Sequence, residues 1–125
     1  MVVQGITLDA LGAGAGHYPM TPLPGQAGNV AIAGHRTMYG KPFNELDRLA
    51  AGDRVTLQTP LATFVYQVVG GFEGHSNPWV VSNTDWSPIS QTATSVLTLT
   101  TCHPKGSAKQ RLVVRAALID TENGI

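Results

Sequence analysis

The chain is short, carries no net charge and has one cysteine, and these facts exclude several classes of protein. Its 125 residues suffice for one domain, and 8 Lys and Arg balance 8 Asp and Glu. At 13% charged residues it has neither the basic surface of a nucleic-acid binder nor a polybasic membrane patch, whereas 42% hydrophobic residues are enough for a core. The single cysteine, Cys102, excludes an intrachain disulfide and a multi-cysteine metal site. No apolar run reaches the roughly 18 residues of a membrane-spanning helix, and the first residues lack a signal-peptide pattern.

Short β-branched runs separated by glycine and proline predict an all-β barrel or sandwich. A weak strand at Val2–Leu8 opens the chain, and the spacing of apolar residues predicts one short helix at Pro42–Leu49. A long irregular connection is predicted for His75–Gln91, with a short strand at Val80–Val81. The clearest strands are predicted at Asn29–Gly34, Asp53–Thr59, Thr63–Gly70, Ser95–Thr101 and Arg111–Asp120.

Three residues with reactive side chains lie at or just beyond predicted strand ends. Because side chains alternate along a strand, Cys102 is expected on the threonine side of its strand, away from the leucines. The same alternation places Arg111 and His35 opposite the apolar faces of their own strands. We therefore predict that all three point into one groove on the outer wall of a barrel. Arg115 shares the face of Arg111 but lies about 13 Å further along at ~3.3 Å per residue, and we predict that it is exposed to solvent.

A cysteine beside a histidine and an arginine can transfer acyl groups. A thiol becomes a good nucleophile only when ionised, so Cys102 needs a basic or cationic neighbour such as His35 or Arg111. Histidine can also protonate a leaving amine, and arginine can bind an oxyanion, a contribution typically worth ~2.7–4 kcal/mol of barrier. The alternative is that Cys102 is a buried structural thiol, but the polar surroundings TTCHPKGS argue against this role.

The other histidines are not expected to be the base. His17 and His75 are predicted to be structural. His103 follows Cys102 directly, and neighbours on an extended chain point to opposite faces, so a distant base such as His35 is favoured and His103 is placed among the substrate-binding residues. No two histidines have the i, i+2 or i, i+4 spacing of metal ligands, so neither a metal nor a cofactor is predicted.

Two segments carry a recognisable pattern of residues. They are GNVAIAGHRTMYGKPFNELDRLAAGDRVTL and SVLTLTTCHPKGSAKQRLVV, which contain an early GH, a TLxTC sequence ending at Cys102, and an arginine on the next strand. This pattern resembles the sortases, cysteine transpeptidases of Gram-positive cell surfaces, over about Gly16 to Leu118. HRTMYG and TTCHPKGSAKQRL are most similar to class E sortases, the housekeeping type of many high-GC Gram-positive bacteria.

The resemblance implies a fold and a location. The expected fold is an all-β, closed or nearly closed barrel of about eight strands with one or two short helices. Family members also have a membrane-anchoring N-terminal helix and a first barrel strand, and neither is found in this sequence. Residues 1–125 are therefore interpreted as a single catalytic domain, truncated at its N-terminus, of a protein on the extracytoplasmic face of the cell membrane.

The resemblance also implies a reaction, its partners and the roles of the site residues. Cys102 attacks the Thr–Gly carbonyl of an LPxTG-like or LAxTG sorting signal, glycine leaves, and an amine on a peptidoglycan precursor resolves the thioester, with hydrolysis as a side activity. His35 is the implied acid and base, and Arg111 the oxyanion or substrate clamp. Thr101 lends its backbone or hydroxyl to the oxyanion site. Tyr39 aligns with the tyrosine that class E enzymes use where the signal has Ala rather than Pro.

Two alternatives remain open. One is a pilin-polymerising sortase of another class, in which a lysine side chain is the acceptor. The other is a non-catalytic peptide-binding module. A papain-like protease fits less well, because that fold carries its cysteine on a helix early in the chain, and an L,D-transpeptidase would need a His–Gly–Cys cluster that this sequence lacks.

Overall fold

The computed structural model of the protein describes residues 2–4, 15–18, 21–34, 46–58, 62–72, 75–103 and 109–123. Within these residues all regular structure consists of β-strands and two short 3₁₀ helices, which confirms the all-β prediction. The helices are η1 (Leu46–Arg48) and η2 (Ser87–Ile89). The strands are β1 (Val2–Gln4), β2 (Ala15–His17), β3 (Gly28–Ala33), β4 (Arg54–Gln58), β5 (Ala62–Val68), β6 (Gly71–Phe72), β7 (His75–Ser76), β8 (Trp79–Ser82), β9 (Ser95–His103) and β10 (Gln110–Asn123).

Eight of these strands form one sheet around the long strand β10. The order is β1-β2-β3-β9-β10-β5-β4, and β8 also pairs with β10. One edge of β10 pairs with β9, while the other edge pairs first with β8 and then with β5. Strands β3 and β9 run parallel, as do β1 and β2, and the other pairs are antiparallel. Within the described residues β1 and β4 do not pair with each other, so the predicted barrel takes the form of a curled half-barrel.

The hydrophobic core lies on one face of this sheet. The face follows the predicted alternation, because the leucines of β9 and the even-numbered residues of β10 point into it. Complete burial of such a side chain typically stabilises the fold by about 1.5–3 kcal/mol. The buried members of the core are Val30, Ile32, Leu46, Tyr66, Val68, Leu97, Leu99, Leu112, Val114 and Ala116.

The opposite face of β9 and β10 is also buried, which the alternation alone does not reveal. Thr98 and Val113 are fully buried, and Arg115 is only 2% exposed, so the prediction that Arg115 is solvated is wrong. The cover is the segment between β8 and β9, residues 83–94. It is attached to β3 because the side-chain amide of Asn29 donates to the carbonyl oxygen of Pro88 at 2.7 Å.

Three predicted elements differ from the observed ones. The connection predicted to be irregular over His75–Gln91 also contains β7 and η2, while the short strand predicted at Val80–Val81 is confirmed as part of β8, a full member of the main sheet. The predicted helix at Pro42–Leu49 is seen only at its end, as the 3₁₀ helix η1, and residues 42–45 lie outside the described residues. The predicted first strand is described over Val2–Gln4 only. In the described part of the chain, no helix has the length and apolar character needed to cross a bilayer.

Candidate active site

Strands β9 and β10 place Cys102 and Arg111 directly opposite each other. The two residues are Cα partners in the antiparallel pair, and β9 continues through Cys102 to its last residue, His103. Directly opposed residues of an antiparallel pair share one face of the sheet, with Cβ atoms about 4.5–5.5 Å apart. On its other edge Arg111 pairs with Val81 of β8, and its half-buried side chain donates from Nη1 to the carbonyl oxygen of Gln110 at 3.1 Å. Backbone pairing thus brings together two of the three predicted catalytic residues.

The chain just before His35 is tied to the end of β9. The amide of Gly34 donates to the carbonyl oxygen of Thr100 at 3.1 Å, and the carbonyl oxygen of Gly34 accepts a hydrogen bond of 2.8 Å from the Thr101 hydroxyl. Thr101 is buried, so its hydroxyl is committed to this contact. His35 and Tyr39 both lie outside the described residues. Gly34, the residue before His35, is therefore hydrogen-bonded to Thr100 and Thr101, the two residues before Cys102.

A tyrosine outside the predicted site also reaches this strand. The hydroxyl of the half-buried Tyr18 lies 3.1 Å from Oγ1 of Thr100, and its backbone amide donates to the carbonyl oxygen of Ala31 at 2.9 Å. By strand alternation Thr100 belongs to the same face as Cys102. No sequence pattern points to Tyr18, because its partner is 82 residues away along the chain.

Further along the same face lies a buried polar cluster. The Thr98 hydroxyl donates to Oδ1 of Asn29 at 2.6 Å, and the Asn29 amide in turn donates to the carbonyl oxygen of Pro88. Arg115 donates from Nη2 to the same carbonyl oxygen at 3.1 Å, and its guanidinium carbon lies 5.9 Å from the ring centre of Trp79. The cluster fastens η2 to the face of the sheet on which Arg111 lies.

The predicted structural role of His17 is confirmed. Its ring is buried, and Nε2 lies 2.8 Å from the carbonyl oxygen of Pro22 and 3.0 Å from the hydroxyl of Thr21. Because a carbonyl oxygen only accepts, Nε2 is the donor, and the Thr21 hydroxyl is free to donate to the carbonyl oxygen of Tyr18 at 2.8 Å. His75 and His103 are placed by their backbone, in β7 and opposite Gln110 in the main sheet. No group of three or more His, Cys, Asp or Glu able to hold a metal ion is found among the described residues.

Comparison with known sequences finds relatives along most of the chain. A family model described as a sortase domain matches residues 1–119. Sortase SrtE1 of Streptomyces coelicolor is 30% identical over 112 residues, which cover 84% of this chain and 32% of that protein. Sortase D of Bacillus subtilis is 30% identical over 117 residues, which cover 90% of this chain and 54% of that protein. The chain thus spans from about a third to about half of the length of these curated relatives.

Comparison with solved structures finds the same fold. The SrtF sortase of Corynebacterium diphtheriae superposes with a TM-score of 0.92 at 29% identity, covering 99% of this chain and 79% of that one. Sortase E of Streptomyces avermitilis gives a TM-score of 0.81 at 34% identity, covering 98% of this chain and 79% of that one. Sortase E1 of Streptomyces coelicolor with a tripeptide in the active site gives 0.83 at 27% identity, covering 98% of this chain and 81% of that one.

Proposed function

Because the chain belongs to the sortase family of transpeptidases and is similar to its class E members, we propose that it is a cysteine transpeptidase that cleaves an LAxTG-type or LPxTG-type sorting signal between Thr and Gly. The Cys102 sulfur attacks the threonine carbonyl carbon, and the bond to the glycine nitrogen breaks as that nitrogen takes a proton. The resulting thioester is resolved by an amine of a peptidoglycan precursor, or by water in a side reaction. The enzyme acts on secreted proteins at the extracytoplasmic face of the cell membrane.

The observation that carries this proposal is the pairing of Cys102 with Arg111. A guanidinium one strand away from the nucleophile is well placed to hold the oxyanion that forms when the sulfur attacks a carbonyl. Its cationic charge also favours the ionised form of a neighbouring thiol. Arg111 is only half-buried, and strand alternation assigns it and its Cα partner Cys102 to the face opposite the leucine core.

The remaining site residues enter the proposal with distinct roles. His35 is the acid that protonates the leaving glycine and the base that deprotonates the incoming amine. Its assignment is supported by the hydrogen bonds that hold Gly34 to Thr100 and Thr101. The hydroxyl of Thr101 is engaged by Gly34, so we assign its contribution to its backbone. Tyr39 is proposed to contact the signal peptide.

His103 is proposed as a second peptide contact. It is the last residue of β9 and lies opposite Gln110, at the end of the sheet where Cys102 and Arg111 meet. Residues 1–125 act together as one catalytic domain in this proposal. The reaction that we propose needs no cofactor, because the thiol, the imidazole and the guanidinium supply the nucleophile, the acid and base, and the oxyanion contact.

The test is mass spectrometry of the protein mixed with LAxTG and LPxTG peptides, with and without triglycine as the added amine. We expect an acyl adduct on Cys102, release of the glycine fragment, and transfer of the peptide to the amine. Cys102→Ala and His35→Ala should each abolish glycine release. His75→Ala, in the separate two-stranded sheet of β6 and β7, is the matched control and should remain active. Turnover that survives Cys102→Ala contradicts the proposal.

The same experiment separates the alternatives. Transfer to a lysine-containing pilin-type peptide in preference to triglycine would indicate a polymerising sortase of another class. Binding of the signal peptide without any adduct on Cys102 would indicate a peptide-binding module.

A further inference from the structure

Arg115 is a buried arginine that faces the covering segment between β8 and β9. It is 2% exposed and lies on the same face of β10 as Arg111. We propose that Arg115 is a positioning residue: it holds η2 against the sheet and thereby fixes residues 83–87 in place beside Arg111. This inference rests on the proposed function, because the fixed segment serves as a preformed wall of the peptide groove.

The surroundings of Arg115 explain how one side chain can hold a loop. Burying a guanidinium is unfavourable unless it makes hydrogen bonds, and a charge-assisted hydrogen bond is about twice as strong as a neutral one. Arg115 directs such a bond to the carbonyl oxygen of Pro88 in η2, and its guanidinium also lies over the ring of Trp79 in β8. The side chain therefore contacts the chain on both sides of residues 83–87.

The backbone of Arg115 is itself fixed. Its amide donates to Oδ1 of Asn77 at 3.0 Å, and its carbonyl oxygen accepts from Nδ2 of Asn77 at 2.7 Å. The same Asn77 amide nitrogen donates to the carbonyl oxygen of Val69 at 2.7 Å. The guanidinium thus extends from a rigid part of the strand, which is what a positioning group requires.

A second anchor acts on the same carbonyl. Asn29 donates to the oxygen of Pro88 and, at 3.0 Å, to that of Ser90, while its backbone amide donates to the side chain of Gln91 at 3.3 Å. Both the Asn29 amide and the Arg115 guanidinium therefore converge on one backbone oxygen. Their contributions should be coupled, because either donor alone still holds η2 in part.

The segment begins directly after the strand that pairs with the proposed oxyanion clamp. Val81 is the partner of Arg111 in β10, and the amide of Asn83 donates to the carbonyl oxygen of Lys109 at 3.3 Å. From there the chain passes Trp86, which is 60% exposed, before it reaches the anchored η2. Because the segment is already held at both ends, it loses little conformational freedom when the peptide binds. Loss of the anchor should therefore weaken peptide binding more than it slows the chemical step.

The first test follows amide hydrogen exchange in the wild-type protein and in Arg115→Met, with Arg115→Lys as the conservative variant. In the wild type the amides of Ile89 and Ser90, which donate within η2, should be protected from exchange. Arg115→Met should raise their exchange rates about tenfold or more while β9 and β10 stay protected, and Arg115→Lys should give an intermediate rate. Arg54→Met, at an exposed position of β4, is the matched control.

The exchange result can overturn the proposal in two ways. Unprotected Ile89 and Ser90 amides in the wild type would show that η2 is not held. This measurement does not depend on whether any variant folds. Equal acceleration in η2 and in strands β9 and β10 would show that Arg115 supports the core as a whole rather than the segment.

The second test is a comparison of KM with kcat for glycine release. Arg115→Met should raise KM for the signal peptide about tenfold, as expected if the bound arrangement of the wall is populated about a tenth of the time, with kcat changed less than about threefold. Asn29→Ala should raise KM on its own, and the double variant Asn29→Ala with Arg115→Met should raise KM by more than the product of the two single effects, because each donor alone still holds η2 in part. A merely structural role would lower the active fraction and kcat at constant KM, and that result contradicts the proposal. If the wild type shows no turnover, the proposed transpeptidase function fails, while hydrogen exchange still decides the positioning role.

Discussion

Arg111 and Arg115 show how the surroundings of a residue decide its role. Both lie on the same face of β10, yet Arg111 is half-buried opposite Cys102 and Arg115 is enclosed beneath η2. Alternation correctly predicts that the two share a face, but it carries no information on what covers that face. The cover comes from residues 83–94, and its attachment to Asn29 spans 59 residues of sequence. For the same reason the sequence does not reveal the contact of Tyr18 with Thr100.

Arg111 should be sensitive to replacement even by lysine. Lysine keeps the positive charge but loses the planar, two-pronged geometry with which a guanidinium binds oxygen atoms. Loss of one oxyanion donor typically lowers kcat by about 10²–10³, and we expect Arg111→Lys to fall in this range in the glycine-release assay. Arg54→Lys should leave kcat unchanged. An Arg111→Lys enzyme as fast as the wild type would show that a positive charge alone is sufficient to stabilise the oxyanion.

At the scale of elements, regular strands are predictable here and irregular segments are not. The β-branched runs predict the five clearest strands, and each appears within a few residues of its predicted bounds because burial of one face imposes a two-residue period. The short strand predicted at Val80–Val81 is present as β8, but its two extra residues and its place in the sheet depend on pairing with β10, which the surrounding proline, asparagine and serine residues do not indicate.

The turn before β3 depends on a glycine that has no room for a side chain. Gly25 has φ of +84°, its amide donates to the Tyr66 hydroxyl at 3.0 Å, and a Cβ atom there would overlap the ring of Phe64. Gly52 has a similar φ of +95° but no atom within 4 Å of its would-be Cβ. Replacing either by alanine costs about 1–2 kcal/mol for the left-handed backbone, and overpacking adds about 1–3 kcal/mol at Gly25 only.

Urea denaturation of the two alanine variants measures this difference. Gly25→Ala should lower the free energy of unfolding by clearly more than Gly52→Ala. Equal losses would mean that the Phe64 ring moves aside without cost.

At the scale of the whole molecule, ionisation of the Tyr66 hydroxyl makes the free energy of unfolding depend on pH in the alkaline range. Burial raises the pKa of this tyrosine above its ordinary value, against a smaller lowering by the hydrogen bond from Gly25. The unfolded chain therefore loses the phenolic proton first, near pH ~10, while the folded protein still retains it. The stability contributed by the protonated Tyr66 hydroxyl is fully present below about pH 10 and is lost as the pH rises through the higher pKa of the folded state.

This dependence can be measured by urea denaturation at about pH 8 and pH 10.5, below and above the ordinary tyrosine pKa. The wild type should lose more stability between these two pH values than Tyr66→Phe, which has no proton to release. Identical losses in the two proteins would show that ionisation of Tyr66 does not contribute.

The bond between Thr101 and Gly34 joins residues 67 positions apart, across the parallel pair of β3 and β9. Parallel strands so distant in the chain are slow to find each other, because the intervening segment must be closed before any contact forms. During that interval Cys102 is an ordinary thiol of an unfolded chain, without the neighbours that would activate it. In the proposed mechanism, the Cys102 sulfur would therefore gain its activating neighbours only after β3 and β9 have paired.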